Sequence, residues 1–175
     1  MPAPVDITAY IRDIDDFPKP GITFKDITPL LAHPEALATA VEGLSEPFQD
    51  LGITKVVGME ARGFIFAAPV AVAIGAGFVP VRKAGKLPWA VHRQEYQLEY
   101  GTDLLEIHQD ALAADDRVLI VDDVLATGGT AAATVELVGQ SGAEVVALGF
   151  VIELGFLGGR PALGDARVRA LVTYP

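Results

Sequence analysis

Short apolar runs alternate with helix-length segments along most of this 175-residue chain. Runs rich in β-branched residues are typical of buried strands, and they occur at 54–58, 78–81, 117–121, 144–152 and 167–172. The intervening segments have the apolar spacing or the uniform apolar character of packed helices, at 34 to about 47, 64–74 and 130–140. The recurrence of strand, helix and strand predicts an α/β fold whose central, mainly parallel sheet has helices on both faces.

Two segments depart from this alternation. Residues 5–14 carry apolar side chains at a spacing that predicts a short amphipathic helix, and the prolines and glycine of 17–21 predict a turn after it. Residues 83–109 form a polar and aromatic insertion between two buried strands, which indicates either a functional lid or a solvated surface hairpin. The pattern leaves these two alternatives open. The length of the chain predicts one domain over residues 1–175.

The stretch between Arg62 and Arg82 has no charged side chain and is about long enough to span a membrane. However, it is rich in Ala and Gly, contains Pro69 and is interrupted by glycines at 75–77. These features favour a buried helix followed by a buried strand. The first residues include acids and lack the apolar core of a signal peptide, so we expect neither secretion nor a membrane partner.

Acidic residues outnumber basic ones by 23 to 13, and the formal net charge is −10. Such a chain is as a whole a poor partner for nucleic acids and for anionic membranes. The absence of cysteine excludes disulfides, thiolate catalysis and Cys-based metal sites, and it fits a reducing cytoplasm. Basic residues that do cluster are therefore candidates for binding an anion, and the densest cluster is Arg82, Lys83 and Lys86.

The strongest candidate for chemistry is the run of residues 117–130. Its apolar strand leads into Asp122 and Asp123, then into a Thr-Gly-Gly-Thr turn, and then into a helix. Backbone amides of a glycine turn and of a helix N-terminus bind anions. Carboxylates at the end of a strand in an open α/β sheet can accept hydrogen bonds from two neighbouring hydroxyls. The run therefore predicts a site for a sugar phosphate, because an ordinary strand-turn-helix has no need of paired acids.

This run resembles the phosphoribosyl-pyrophosphate signature of the type I phosphoribosyltransferases. Four further runs, at 17–27, 60–64, 82–88 and 98–101, resemble those of one branch, the adenine phosphoribosyltransferases. The resemblance implies the type I fold with a small N-terminal hood that recognises the base (residues 1–33) and a flexible lid loop (about 83–109). It also implies transfer of the phosphoribosyl group to adenine, with Mg²⁺ bound through the substrate, in a cytoplasmic homodimer.

The resemblance assigns a role to each matching residue. The ribose-5-phosphate half of the substrate would contact Asp122, Asp123, Ala126, Thr127, Gly128, Gly129 and Thr130. The pyrophosphate would be bound by Arg62, Arg82, Lys83 and Lys86. Adenine would contact Thr23, Phe24, Lys25 and Leu154, with Phe24 stacked on the ring and the backbone of its two neighbours reading the amine edge. Glu99 would be the general acid or base at the purine, and Tyr100 would close the lid.

One position departs from the family pattern, since Lys25 stands where Arg is commoner. The replacement of Arg by Lys matters little if the main chain recognises the base, and it matters more if the family's guanidinium packs against the base. Simpler roles also stay open: Arg62 could cap a surface turn, Leu154 could be plain core, and Glu99 and the cationic cluster could be solvated.

Two other functions remain as alternatives. A phosphoribosyltransferase for a 6-oxopurine would share the acidic run, but we expect it to lack the Phe24 segment and the run at 98–101. A non-catalytic regulator that senses phosphoribosyl pyrophosphate would normally add a basic DNA-binding segment, which this acidic chain does not show.

Overall fold

The computed structural model describes residues 5–98 and 101–175. The chain divides into two compact units, residues 1–43 and 44–175. The N-terminal unit therefore extends beyond residue 33, where the predicted hood ends, and includes most of the first long helix.

The N-terminal unit begins with a short 3-10 helix, Ile7–Tyr10. It continues with strand β1 (Arg12–Ile14), strand β2 (Phe24–Asp26), helix α1 (Thr28–Ala32) and helix α2 (Pro34–Ser45), whose last residues belong to the second unit.

The predicted helix over residues 5–14 is wrong beyond its first turn. β1 pairs antiparallel with β2, so that Arg12 lies opposite Asp26. The guanidinium of Arg12 reaches the Asp26 carboxylate at 2.7 Å. Extended backbone at residues 12–14 therefore gains cross-strand partners, and the apolar spacing of an isolated segment carries no information about these long-range contacts.

The C-terminal unit is built on seven strands: β3 (Lys55–Met59), β4 (Gly77–Lys83), β5 (Val91–Gln97), β6 (Thr102–His108), β7 (Arg117–Leu125), β8 (Glu144–Leu154) and β9 (Val168–Tyr174). Their order in the sheet is β5-β6-β4-β3-β7-β8-β9. Strands β4, β3, β7, β8 and β9 are parallel neighbours, whereas β5 and β6 pair antiparallel at one edge. The predicted mainly parallel sheet is confirmed.

Helix α3 (Gly63–Ile74) connects β3 to β4, and helix α4 (Gly129–Gln140) connects β7 to β8. Short 3-10 helices cover Glu46–Leu51, Gly155–Leu157 and Arg160–Leu163. Strands β4 and β8 lie on opposite sides of the β3–β7 pair, so right-handed crossovers place α3 and α4 on opposite faces of the sheet. In the part of the chain that the structure describes, no helix is both long and apolar enough to cross a bilayer.

The order of the strands reverses between β3 and β7. From β3 the chain moves to one side of the sheet, and from β7 it moves to the other. In open α/β sheets, ligands bind at such a switch point, beyond the carboxyl ends of the strands. The loops that follow β3 and β7 are therefore the place to look for a site, and they contain Arg62 and the Thr-Gly-Gly-Thr turn.

Most of residues 83–109 is occupied by the β5–β6 hairpin, which extends the sheet because β6 pairs with the end of β4 at Arg82 and Lys83. The side-chain amide of Gln140 in α4 donates to the Arg93 carbonyl at 3.0 Å. The hairpin alternative thus describes this segment, and its motion as a lid stays a prediction.

Candidate active site

The loop between β7 and α4 forms a cavity of about 80 Å³, lined by Asp122 and residues 124–131. Gly128, the N-cap of α4, has φ of 86°, a conformation that strains any residue with a side chain. The first bond inside the helix runs from the Ala132 amide to the Gly128 carbonyl at 2.9 Å. The preceding amides stand at the positive end of the helix dipole, so this cavity is suited to a phosphate group.

The predicted acidic pair lies inside β7. We predicted a strand that ends at residue 121, and this bound is wrong, because pairing with β8 continues from Asp122 opposite Phe150 to Leu125 opposite Glu153. Successive side chains of a strand point to opposite faces of the sheet. Asp122 and Asp123 therefore have different surroundings, which the sequence pattern did not distinguish.

Asp122 lines the cavity, and its Oδ1 accepts the Asp123 amide at 2.8 Å. The Asp123 residue is 6% exposed, and its Oδ2 lies 2.7 Å from Arg62 Nε. The geometry there is that of an ion pair, and no hydrogen bond from the described residues is directed at this oxygen. The structure thus brings Asp122 to the β7–α4 loop (the phosphate loop, residues 126–130) and Asp123 to Arg62.

Burial of the Asp122 carboxylate raises its pKa well above the usual range, and the neighbouring charge of Asp123 raises it further. Arg62 offsets only part of this effect. Ionisation of Asp122 beside the charged Asp123 therefore costs electrostatic energy. The pair is therefore under electrostatic strain in the substrate-free protein.

We expect Asp122→Asn to increase the free energy of unfolding by about 1 kcal/mol at neutral pH. A raised folded-state pKa means that ionisation of Asp122 costs stability as the pH rises from the unfolded-state pKa through the folded-state pKa. The amide does not ionise, so the advantage of the variant grows across that window. Urea unfolding as a function of pH measures this. A pH-independent difference, or one equal to that of the exposed Asp115→Asn control, would contradict the prediction.

The loop after β3 supplies the other side of the site. Arg62 is the N-cap residue of α3, and its side chain is 44% exposed. A Cβ atom on the next residue, Gly63, would lie only 2.7 Å from Asp122 Oδ1 and 3.3 Å from the Val121 carbonyl oxygen. The absence of a side chain at Gly63 therefore lets the start of α3 approach the acidic pair.

The cationic cluster is organised around Glu60, a residue to which the sequence assigned no role. Its side chain is 8% exposed. The Oε2 atom lies 2.9 Å from Lys86 Nζ and 3.4 Å from Arg82 Nη2, and Oε1 accepts the Lys83 amide. Burial raises the pKa of Glu60, but the hydrogen bonds from Lys86 and the Lys83 amide, with the nearby positive charges, outweigh it and leave the pKa lowered.

Lys83 itself pairs with Asp103, at 3.2 Å between Nζ and Oδ2. The three residues of the cationic cluster, Arg82, Lys83 and Lys86, are therefore close together, and each has a carboxylate partner in the same chain. The signal that could have identified Glu60 is an acid at the end of a buried strand, two residues before Arg62.

The predicted adenine contacts Thr23, Phe24 and Lys25 lie in the N-terminal unit. The ring of Phe24 packs edge-on against Phe17, with centroids 5.3 Å apart. Lys25 Nζ forms an ion pair with Asp13 at 2.7 Å. Leu154 is the last residue of β8 in the C-terminal unit and is partly buried.

Glu99 and Tyr100, the predicted general acid or base and the predicted lid residue, lie outside the described residues. The residues that flank them are described. The Leu98 amide donates to the Gly101 carbonyl at 2.9 Å. A Cβ atom on Gly129 would lie 3.7 Å from the Gln97 carbonyl oxygen. The end of β5 that leads to Glu99 therefore lies beside the start of α4.

Known proteins resemble this chain in both sequence and fold. Residues 26–161 match the phosphoribosyl transferase domain family. An adenine phosphoribosyltransferase of Thermobifida fusca is 59% identical over 167 residues, which is 95% of each chain. A crystal structure of the adenine phosphoribosyltransferase of Rhodothermus marinus is 55% identical, with a TM-score of 0.91 over 96% of both chains. That of Saccharomyces cerevisiae, in complex with an imino-altritol bisphosphate and adenine, is 43% identical, with a TM-score of 0.90 over 94% of this chain and 96% of that one.

Proposed function

This chain belongs to the adenine phosphoribosyltransferase branch of the phosphoribosyl transferase family, and we propose that it transfers the 5-phosphoribosyl group of phosphoribosyl pyrophosphate to adenine. The products are AMP and pyrophosphate, as in purine salvage. The observation that carries the proposal is the cavity at the switch point, which is lined by Asp122 and by the start of α4. A pentosyl transferase needs such a site to hold the sugar phosphate while the anomeric carbon reacts.

The ribose-5-phosphate half of the substrate occupies the β7–α4 loop. The 5′-phosphate accepts hydrogen bonds from the amides of residues 126–130, which include the uncapped start of α4. Asp122 and Asp123 accept from the ribose hydroxyls. Support for this role comes from the position of Asp122 in the cavity wall. Hydroxyl donors would also relieve the repulsion between the two carboxylates.

Pyrophosphate leaves as the bond between the anomeric carbon and oxygen breaks through an oxocarbenium-like transition state. Arg62 stabilises the negative charge that develops on the leaving group, because its guanidinium can donate two parallel hydrogen bonds. Arg82, Lys83 and Lys86 complete the pyrophosphate site. The Glu60 carboxylate holds two of these cations in place until an anionic substrate competes for them.

Adenine stacks on Phe24, and the backbone of Thr23 and Lys25 reads its amine edge. The Lys25 amine is held by Asp13, which supports readout of the base by the main chain. Glu99 is the general acid or base at the purine, and Tyr100 closes over it.

Glu99→Gln should therefore lower kcat about a hundredfold and leave the Kd of ribose 5-phosphate unchanged. A normal kcat would exclude this role for Glu99.

Mg²⁺ supplies charge neutralisation of the pyrophosphate. Among the described residues, no group of three or more His, Asp or Glu side chains is placed to hold a metal ion. Mg²⁺ would be bound mainly by substrate oxygens and water, as it commonly is in phosphate sites. Asp122 and Asp123 would hold the ribose hydroxyls of the same substrate.

The active form is a homodimer in the cytoplasm, with no nucleic-acid or membrane partner. Exposed apolar side chains on α3 and on β4 support a second copy as the partner, namely Ile65 (40%), Val72 (82%) and Phe78 (38%). Sedimentation at micromolar concentration should give twice the mass of the chain, and a monomer would contradict this part of the proposal. The acidic, cysteine-free composition supports the location.

The base specificity is tested by turnover of phosphoribosyl pyrophosphate and Mg²⁺ with adenine, hypoxanthine, guanine and xanthine in parallel. We expect a kcat/KM for adenine that exceeds those for the 6-oxopurines by more than about a hundredfold. Comparable turnover of a 6-oxopurine would reject the specificity for adenine, and binding of phosphoribosyl pyrophosphate without turnover of any base would favour a sensor.

A further inference from the structure

The phosphate loop is packed directly against a second backbone segment, residues 158–162. A Cβ atom on Gly159 would overlap the Ala126 carbonyl oxygen and would lie 3.1 Å from the Gly128 nitrogen. A Cβ atom on Gly128 would in turn overlap the Gly159 carbonyl oxygen and lie 3.0 Å from the Ala162 Cβ atom. Gly159 therefore forms the rear wall of the loop, and the position of this wall sets where the loop amides point.

Arg160 holds this wall in place. Its Nε and Nη2 atoms donate to the two carboxylate oxygens of Glu153, each at 2.7 Å, and its Nη1 donates to the Val168 carbonyl at 3.3 Å. Glu153 lies in β8, directly opposite Leu125, the last residue of β7 before the loop. The bidentate Arg160–Glu153 pair thus connects the Gly159 wall to the β7–β8 strand pair, from which the phosphate loop begins.

The Glu153 carboxylate has few alternatives to this partner. The residue is 6% exposed, and its other side-chain contact among the described residues is a 3.4 Å hydrogen bond from the Thr173 hydroxyl. The Arg160 hydrogen bonds hold the pKa of Glu153 below its usual value although burial opposes them. A buried carboxylate with a bidentate partner fixes direction as well as distance.

We propose that Arg160 is a positioning residue for the 5′-phosphate, which acts through Glu153 and Gly159 on the amides of the β7–α4 loop. The inference rests on the proposed phosphoribosyl transfer and adds to it a determinant of affinity that does not touch the substrate. A loop whose backbone amides donate to an anion binds it with high affinity only when these amides are oriented before the anion arrives. Loosening the wall should therefore weaken phosphate binding and leave adenine binding almost unchanged.

The test compares Arg160→Lys, which keeps the charge and loses the fork, with Arg117→Lys. Arg117 pairs with Glu144 at 2.6 Å at the opposite end of β7 and serves as the matched control. Arg160→Lys should raise the KM of phosphoribosyl pyrophosphate and the calorimetric Kd of ribose 5-phosphate about tenfold. The KM of adenine should change less than about twofold, and the control should change none of these constants.

Gly159→Ala tests the wall with the ion pair intact, and Gly139→Ala is its control, because a Cβ atom on Gly139 meets nothing within 4 Å. The first should weaken ribose 5-phosphate binding and the second should not. If Arg160→Lys and Gly159→Ala lower the melting temperature but keep wild-type phosphate affinity, the role of Arg160 is structural and the inference is wrong. Failure of the wild type to make AMP would reject the proposed function instead, while the Kd comparison would still decide the role of Arg160.

Discussion

Replacing Asp122 and Asp123 together with Ala is expected to lower AMP formation by about a thousandfold. The estimate corresponds to the loss of two hydrogen bonds between ribose hydroxyls and charged acceptors. Asp122 lines the cavity and Asp123 is buried beside Arg62. The β7–α4 loop that follows them contains no other carboxylate that could replace them. Initial rates with phosphoribosyl pyrophosphate, adenine and Mg²⁺ measure the loss, and circular dichroism reports whether the fold persists.

The fold should persist because the rest of β7 is held by apolar packing and by pairing with β3 and β8. Removal of two repelling, poorly solvated charges also relieves strain in the substrate-free protein. Asp115→Ala, an exposed position before β7, is the matched control and should keep normal rates. Full activity in a folded double variant would show that these carboxylates do not bind the ribose.

Replacing Arg62 with Ala should lower kcat/KM for phosphoribosyl pyrophosphate about a hundredfold, the usual loss when one preorganised donor to a developing anion is removed. Arg62→Lys should recover only part of this, because an ammonium group lacks the planar fork. Arg62→Ala also leaves Asp123 buried without its 2.7 Å partner, so the melting temperature should fall as well.

The structural and chemical contributions of Arg62 can be separated with Asp123→Asn. Adding this substitution to Arg62→Ala removes the unpaired charge, which should restore the melting temperature but not the rate. The exposed Arg169→Ala, in β9, controls for loss of one positive charge from the surface. Recovery of both stability and rate in the double variant would mean that Arg62 serves only to neutralise Asp123.

Much of the fold followed from the sequence because β-branched runs and apolar helices report burial directly. The strand pair β7–β8 is an example, since most of its apolar residues are core residues. The errors lie where a long-range contact decides the local structure. Residues 12–14 are extended because β2 lies beside them, and β7 continues past residue 121 because β8 supplies partners for its polar residues.

The same distinction holds for the site. The sequence indicated Asp122, Arg62 and the glycines of the phosphate loop as candidates because their residue types are unusual at those positions. Glu60 and Glu153 could not be paired with cations from the sequence, since an acid at the end of a strand or within one gives no sign of the cation that it will meet. The structure pairs them with Lys86 and Arg160, residues that lie outside the predicted strands and helices. Such ion-pair partners can be identified only from the three-dimensional structure, which shows which strands and loops are neighbours.

We infer that this chain joins adenine to the phosphoribosyl group and releases pyrophosphate. This claim can be tested by quantifying AMP and pyrophosphate together in a reaction of the purified protein with phosphoribosyl pyrophosphate, adenine and Mg²⁺. We expect the two products in equal amounts, with both formed about a thousandfold more slowly by the Asp122→Ala, Asp123→Ala double variant. Pyrophosphate released with ribose 5-phosphate in place of AMP, or no consumption of adenine, would contradict the claim.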